Sequence, residues 1–243
     1  GVYEALLYND ASGLTSKLSL NLTTKGGFTA SVNGSFGQAS LSGKFNADGR
    51  WSGTSSNASL GAVQLTMVPQ PNRSFYIEGT MATMDSGTLL FQARPARSAI
   101  AKKVTFKASL VDGDGGPQGD AVATGSIAKD GKVQFNIYLP DGKRASFAGR
   151  VLDGGMIALY VQAKGGDVPV MLGNLILRSL DTGSDLDGIV RLSTRDYDQQ
   201  RALEGSSYKV PAKAALPLSS ISVGPNNSQL VWESGAFVGI NKT

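Results

Sequence analysis

Hydrophobic and polar residues alternate with a period of two along most of this chain. Between residues 14 and 23, Leu18 and Leu20 share one face with their neighbouring leucines, whereas Lys17 lies on the polar face. The stretch Lys132–Leu139 alternates in the same way. Such alternation is typical of half-buried strands and cannot form the apolar stripe of an amphipathic helix. With glycine-rich turns between the runs, the pattern predicts an all-β, antiparallel protein.

One stretch of this pattern occurs twice. The sequence KGGFTASVNGSFGQASLSGKFNADG at residues 25–49 has a counterpart, KDGKVQFNIYLPDGKRASFAGRVLDG, at residues 129–154. In this register Gly43 of the first copy matches Gly149 of the second. A duplication of this kind indicates two units of about 105 residues, each with about eight strands. We therefore predict two tandem antiparallel meander units, either barrel-like or folded as a strongly coiled sandwich.

Glycines interrupt the apolar faces of the predicted strands. Gly43 and Gly79 each occupy a position where an inward side chain is expected, and Gly188 matches Gly79 in the second unit. Glycine weakens a strand, so an inward glycine usually marks a bend or the close approach of another segment. We predict that Gly43 and Gly79 let their strands turn a corner and leave room for an aromatic ring.

The repeat also divides the chain. We predict a first β unit at residues 1–98, a second at 99–210, and a linker with further strands at 211–243. The stretch 95–101, PARSAIA, is the predicted linker between the two units. Because residues 234–238 echo the start of the repeat, we expect either that the chain is a segment of a longer array or that its last strand adds to one of the two sheets.

Composition narrows the possible chemistry. The 243 residues include no cysteine and no histidine, which excludes disulfides, thiolate metal sites and histidine general bases. The net charge is +4. The basic cluster of Arg94, Arg97, Lys102 and Lys103 is too small for nucleic-acid binding and is typical of a solvated linker. No run of about 18 apolar residues occurs, so no membrane-spanning helix is predicted.

Acidic turns carry the remaining candidate chemistry. Asp112, Asp114 and Asp120 concentrate hard oxygen ligands in one glycine-rich loop, which makes calcium the one candidate cofactor. The tetrapeptides at 85–88 and 181–184 match those of aspartic proteases. They lie six residues after and seven residues before their respective repeat glycines. This register predicts ordinary turns at non-equivalent positions, and no catalytic residue.

Three motifs carry a resemblance to a known module. They are G-x-Y-x-x-L-L at residues 1–7, K-G-G-F with L-S-G-K-F-x-x-x-G within residues 25–49, and A-T-G-S-I-A-K-D-G-K-V at residues 123–133. The chain resembles, over nearly its whole length, a repeat all-β module of large exported cell-surface proteins of planctomycete and verrucomicrobial bacteria. The resemblance implies an extracellular or cell-surface setting. It also implies partners that are copies of the module or neighbouring domains of a longer chain, and no catalytic residues.

The expected function is therefore a non-enzymatic extracellular structural or adhesive module, in a repetitive surface assembly or a large exported protein. The alternative is a β-barrel module that binds carbohydrate or another small ligand, with surface glycans as partners. A sugar-binding platform would use the aromatic residues Trp51, Tyr76, Tyr138, Tyr160 and Trp232. Their scattered positions favour packing in the core or on strand faces.

Overall fold

The computed structural model describes most of the first 207 residues. The described ranges are 1–9, 13–34, 36–72, 74–84, 87–97, 99–100, 103–110, 121–139, 142–162, 169–179, 184–193 and 198–207. These ranges belong to one unit, residues 1–208. The linker and strands predicted at 211–243 lie outside the described residues.

The strands described in the first half form one antiparallel sheet. They are β1 (Val2–Asn9), β2 (Gly13–Leu22), β3 (Gly27–Gly34), β4 (Gly37–Lys44), β5 (Arg50–Thr54), β6 (Leu60–Pro69), β7 (Phe75–Thr83) and β8 (Gly87–Pro95). Their order in the sheet is β4-β3-β2-β1-β8-β7-β6-β5. Since β1 pairs with β8 and the edges β4 and β5 are consecutive in the chain, the sheet curls into a nearly closed barrel, called barrel 1.

The strands described in the second half repeat this arrangement. They are β9 (Val104–Leu110), β10 (Ala121–Ile127), β11 (Lys132–Tyr138), β12 (Arg144–Arg150), β13 (Met156–Gln162), β14 (Pro169–Ser179), β15 (Ser184–Ser193) and β16 (Asp198–Ser207). Their order, β12-β11-β10-β9-β16-β15-β14-β13, forms barrel 2. A 3₁₀ turn at Asp153–Gly155 connects β12 to β13. The predicted fold class is confirmed, in its barrel-like form.

The repeat glycines occupy equivalent strands in the two barrels. Gly43 lies in β4 and Gly149 in β12, the fourth strand of each barrel. Gly79 lies in β7 and Gly188 in β15, the seventh strand of each. The register predicted from the sequence is therefore the register of the fold. It also allows any position of barrel 1 to be compared with its counterpart in barrel 2.

Aromatic rings lie beside Gly43 and Gly79, as predicted, and beside Gly149, but not beside Gly188. A methyl group built on Gly43 would overlap the indole of Trp51, and one built on Gly149 would overlap the ring of Phe147. The Trp51 ring packs edge-on against Phe28, with ring centroids 5.0 Å apart. Because protein interiors are close-packed, a side chain at either glycine requires the ring beside it to move.

Backbone hydrogen bonds hold together the two edges of barrel 1. Near one end, the Asn46 N–H donates to Arg50 O over 2.9 Å. Near the other end, the Ser56 N–H donates to Ser40 O over 3.0 Å, and the Ser56 hydroxyl accepts from the Ser40 N–H over 2.9 Å. In barrel 2, the Leu152 N–H donates to Met156 O over 2.7 Å at the turn between the edge strands.

The segment between the barrels is bonded to barrel 2, which corrects the prediction of a solvated linker. Ala96 forms an isolated antiparallel bridge with Leu152, and the Arg97 N–H donates to Val151 O over 2.9 Å. Ile100 is buried in the core of barrel 2. In a free linker, these backbone groups would form hydrogen bonds with water. Here they form hydrogen bonds with backbone groups of barrel 2 instead.

No helix among the described residues is long and apolar enough to cross a membrane.

Candidate functional site

The predicted calcium ligands Asp112, Asp114 and Asp120 lie outside the described residues, between β9 and β10. The calcium site therefore stays a prediction. Within the described part of the chain, no group of three or more acidic side chains is arranged to hold a metal ion. A buried ion pair and a row of hydrogen-bonded polar side chains lie where the two barrels meet.

The protease-like tetrapeptides precede strands that are not equivalent. Residues 85–86 and 181–183 lie outside the described residues, but Gly87 begins β8 and Ser184 begins β15. Strand β15 is the counterpart of β7, not of β8. The two tetrapeptides are thus unrelated by the repeat, which agrees with the prediction from the register.

The aromatic residues of the predicted sugar platform are spread over the molecule. Trp51 packs against the core of barrel 1. Tyr76 and Tyr160 lie at the contact between the barrels, and Tyr138 is 44% exposed on the outside of barrel 2. Trp232 lies outside the described residues. The described members therefore do not form one platform.

The barrels meet through the outer faces of β1 and β2 on one side and β13 and β14 on the other. Leu6 of β1 packs with Leu152 and Ala158 of barrel 2, and all three are buried. Tyr160 packs against this cluster, and its hydroxyl is buried without a hydrogen-bond partner among the described residues. Burial raises the pKa of the Tyr160 phenol to about 12. Because barrel 2 covers Leu6, the outer face of β1 is buried as well as its inner face.

A buried ion pair lies at this contact. Lys17 Nζ is 2.9 Å from Glu4 Oε2, and both side chains are about one-tenth exposed. The Lys17 ammonium also lies 5.3 Å from the centroid of the Phe147 ring of barrel 2. The alternation correctly placed Lys17 on the outer face of its strand. It did not predict the burial of that face, because the covering surface belongs to the other barrel.

The counterparts of the β1–β2 contact residues in barrel 2 are different in character. Gly79 pairs with Phe91 and Gly188 with Leu203, and this register makes Lys107 the counterpart of Glu4 and Ser109 the counterpart of Leu6. Ser109 is only partly buried. The buried apolar contact of β1 is therefore replaced by polar side chains in β9.

The reverse comparison gives the same result. Trp51 pairs with Leu65 and Ile157 with Leu175, so the counterparts of the β13 contact residues can be read from β5. They are Arg50 for Met156, Ser52 for Ala158 and Thr54 for Tyr160. Arg50, Ser52 and Thr54 are all exposed. The apolar contact residues Leu6, Met156 and Ala158 are thus matched by polar residues in the other barrel, whereas Lys17 is matched by Val122, which is 45% exposed.

A row of polar side chains connects barrel 2 to the outer face of barrel 1. The Tyr76 hydroxyl donates to Asp153 Oδ2 over 3.0 Å, and burial, followed by this hydrogen bond, raises the pKa of Tyr76. The Arg94 guanidinium lies 5.0 Å from the Tyr76 ring centroid. Arg94 Nη2 donates to Gln92 Oε1 over 3.3 Å, and Gln92 Nε2 donates to Glu78 Oε1 over 2.9 Å.

This row forms part of an open groove of about 690 Å³ between the barrels. Its lining residues come mainly from β1, β6, β7 and β8. They are Leu6, Tyr8, Gln64, Thr66, Glu78, Gly79, Thr80, Leu90, Phe91, Gln92 and Arg94 of barrel 1, with Met156 and Asn174 of barrel 2. Tyr8 pairs with Leu90 across β1 and β8, and the two are 44% and 42% exposed.

The equivalent surface of barrel 2 forms a second groove, of about 600 Å³. Asp187 and Glu204 are its counterparts of Glu78 and Gln92. Asp187 is engaged by Arg178, whose Nη2 lies 2.5 Å from Asp187 Oδ2. Asp187 is therefore already paired with a cation, whereas its counterpart Glu78 accepts one hydrogen bond from a neutral amide.

Comparisons with known proteins add little. No protein-family model matches the chain, and no curated protein matches it. Among solved structures, one match is the crystal structure of a protein of unknown function from the DUF3598 family of Nostoc punctiforme. Its identity to this chain is 10%, its TM-score is 0.23, and the match covers 86% of this chain and 96% of that chain. A likeness at this TM-score carries no argument about function.

The residues of the inter-barrel groove were not predicted from the sequence. In the sequence, Glu78, Gln92 and Arg94 are ordinary polar residues at outward positions of their strands. Alternation does not distinguish them from the other outward polar residues. One signal was present: Glu78 and Arg94 differ from their repeat counterparts Asp187 and Ser206 in size or charge. Differences between equivalent positions mark surfaces that the two units use differently.

Proposed function

We propose that this chain is a non-enzymatic structural module of an exported cell-surface protein, in which the two barrels act together as one spacer unit. The observation that carries the proposal is the buried contact between the barrels, with Leu6, Leu152 and Ala158 at its centre. A hydrophobic contact of this kind resists independent movement of the two barrels. The sequence resemblance supports the cell-surface setting.

The interiors of the barrels also favour a structural role over ligand storage. Each interior contains one continuous cluster of buried apolar side chains, including Leu18 and Met81 in barrel 1 and Phe106 and Val190 in barrel 2. Small barrels whose interior is filled by side chains have no space for a ligand. A small ligand inside either barrel therefore has no support among the described residues.

Neighbouring domains of a longer chain are the partners that this proposal favours. If copies joined through the two contact surfaces, the free counterparts of these surfaces would need apolar residues. They carry Ser109 in place of Leu6 and Arg50 in place of Met156 instead. These polar positions do not favour the joining of copies through the same two surfaces.

Antibody labelling of the producing organism tests the cell-surface setting. Antibodies raised against the purified chain are expected to label intact, unpermeabilised cells. Labelling that requires permeabilisation would contradict the proposal. Sedimentation velocity of the purified chain tests the partner: we expect a monomer, and concentration-dependent polymers would instead indicate self-assembly through another surface.

A further inference from the structure

We propose that the groove between the barrels binds a neutral, hydroxyl-rich ligand of the oligosaccharide class. This inference goes beyond the structural role, because a spacer unit does not require a binding site. The argument comes from the polar row of Glu78, Gln92 and Arg94, from the charge of the lining, and from the exposed pair of Tyr8 and Leu90.

The polar row presents alternating acceptors and donors. Glu78, Gln92 and Arg94 occupy adjacent positions on the antiparallel pair β7–β8, where neighbouring strands are about 4.8 Å apart. Glu78 accepts one hydrogen bond from Gln92, and a carboxylate has about four acceptor positions. Arg94 donates to Gln92, and a guanidinium has about five N–H donors. Free acceptors and donors therefore lie side by side.

This combination matches hydroxyl groups better than other polar groups. A hydroxyl both donates and accepts a hydrogen bond. Adjacent hydroxyls of a sugar can thus donate to the Glu78 carboxylate and accept from the Arg94 guanidinium. The amides of Gln64 and Asn174 and the hydroxyls of Thr66 and Thr80 extend the same mixed character across the groove.

The charge of the lining favours a neutral ligand. The groove contains one carboxylate, Glu78, and one guanidinium, Arg94, among its lining residues. Their charges cancel, so neither an anion nor a cation gains from the groove as a whole. The equivalent groove of barrel 2 contains Lys107, Arg178, Asp187 and Glu204, and Arg178 and Asp187 form an ion pair there.

The apolar part of the groove lies beside the polar row. Tyr8 and Leu90 form a cross-strand pair, and both remain more than two-fifths exposed. Binding sites typically combine apolar contact area with a few placed polar groups, and they occur preferentially at the junctions of domains. The C–H face of a sugar ring can cover Tyr8 and Leu90 while its hydroxyls face Glu78 and Arg94.

The polar groups are held in place before a ligand arrives. Asp153 of barrel 2 accepts the hydrogen bond of the Tyr76 hydroxyl, and the Tyr76 ring lies beneath Arg94. A side chain that is already ordered loses less entropy on binding. The volume of about 690 Å³ falls within the range of about 300–1,000 Å³ that is usual for ligand sites.

Titration with defined oligosaccharides tests this proposal on the whole chain. The probes are soluble cello-, chito-, manno- and malto-tetraoses, followed by isothermal titration calorimetry and by amide chemical-shift changes. At least one neutral probe is expected to bind saturably and to shift the amides of β7 and β8. If none of the four binds saturably at ligand concentrations up to about 10 mM, any Kd is weaker than about 10 mM. That result would overturn the proposal. Tighter binding of a sulfated tetrasaccharide would overturn its neutral character.

Two matched variants locate the site. Glu78→Gln is expected to weaken binding by about tenfold or more, because hydrogen bonds to charged groups are the stronger ones. The control is Glu204→Gln at the equivalent groove of barrel 2, which is expected to change affinity by less than about twofold. Equal effects of the two variants would place the ligand elsewhere. Unchanged circular dichroism establishes that both variants fold, and the structural proposal stands whichever result is obtained.

Discussion

At the scale of single residues, the inward glycines and the rings beside them form matched pairs. Gly43 leaves the space that the Trp51 indole occupies, and Gly149 does the same for Phe147. The sequence was sufficient to predict rings beside Gly43 and Gly79, because an inward glycine leaves space that a neighbouring side chain can fill. It was not sufficient to identify which ring fills the space beside which glycine.

Replacing Gly43 tests this pairing. Gly43→Ala is expected to lower the free energy of unfolding by about 1–3 kcal/mol, because the new methyl group forces the indole from its position. In a Trp51→Leu background, the same substitution should cost clearly less. Urea unfolding followed by circular dichroism measures both values. The control is Gly149→Ala, whose cost should not depend on residue 51; equal costs of Gly43→Ala in the two backgrounds would contradict the pairing.

Tyr160 gives a pH dependence whose sign is defined. Its buried phenol has a pKa of about 12, whereas the pKa of a tyrosine in an unfolded chain is about 10. Between these values the unfolded state binds fewer protons than the folded state, so the free energy of unfolding decreases as the pH rises. Urea unfolding at pH 8 and pH 11 should show this loss, and Tyr160→Phe should reduce it.

The same variant has an expected effect at neutral pH. Removing a buried hydroxyl that has no partner among the described residues should leave stability unchanged or raise it by about 1 kcal/mol. Tyr138→Phe serves as the control, because Tyr138 is 44% exposed. An alkaline loss that is identical in the native chain and in Tyr160→Phe would exclude Tyr160 as its source.

At the scale of secondary-structure elements, β1 differs from its counterpart β9 in having two buried faces. Tyr3, Ala5 and Leu7 point into barrel 1, and Leu6 packs against the outer face of barrel 2. Alternation predicted both strands equally well. The extra burial of β1 follows from a surface that is distant in sequence, so the local pattern contained no direct sign of it.

Exchanging the counterparts Leu6 and Ser109 tests this difference. Leu6→Ser is expected to cost about 2–5 kcal/mol, since it empties a buried apolar position. Ser109→Leu should change stability by less than about 0.5 kcal/mol, because its position faces the second groove. Thermal and urea unfolding measure both variants. Similar effects at the two positions would show that the β1 surface is not specially buried.

At the scale of the whole molecule, the contact between the barrels turns two similar units into one. Its buried ion pair, Lys17 with Glu4, is polar where a purely hydrophobic contact would suffice. Burying two charges costs solvation energy that their attraction only partly offsets, but removing one partner leaves the other unpaired. The pair therefore makes the contact sensitive to single substitutions.

Lys17→Met should lower the free energy of unfolding by about 3–5 kcal/mol, because it leaves the Glu4 carboxylate buried alone. The double variant Glu4→Leu with Lys17→Met should recover most of this loss. Lys132→Met is the matched control, since Lys132 and Asp130 form an exposed pair at 2.7 Å and solvent-exposed ion pairs contribute little to stability. Scanning calorimetry provides all three comparisons. A small cost for Lys17→Met, close to that of the control, would show that the contact is solvated.

The sequence by itself determined the fold class, the number of strands in each unit and the register of the repeat. These features follow from local alternation and from the recurrence of glycine-centred strands such as those of Gly43 and Gly149. Alternation separates the inner face of a strand from its outer face. It therefore predicts which side chains face the interior of the barrel to which the strand belongs.

Only the tertiary structure decided which outer faces are covered and which form the groove. Glu4, Leu6 and Lys17 are buried because β13 and β14 of the other barrel lie against them, and Arg94 is positioned by a tyrosine bonded to that barrel. Such contacts depend on the fit of two surfaces that are far apart in the chain. A period of two describes each strand within its own sheet and contains no information about contacts with a second sheet.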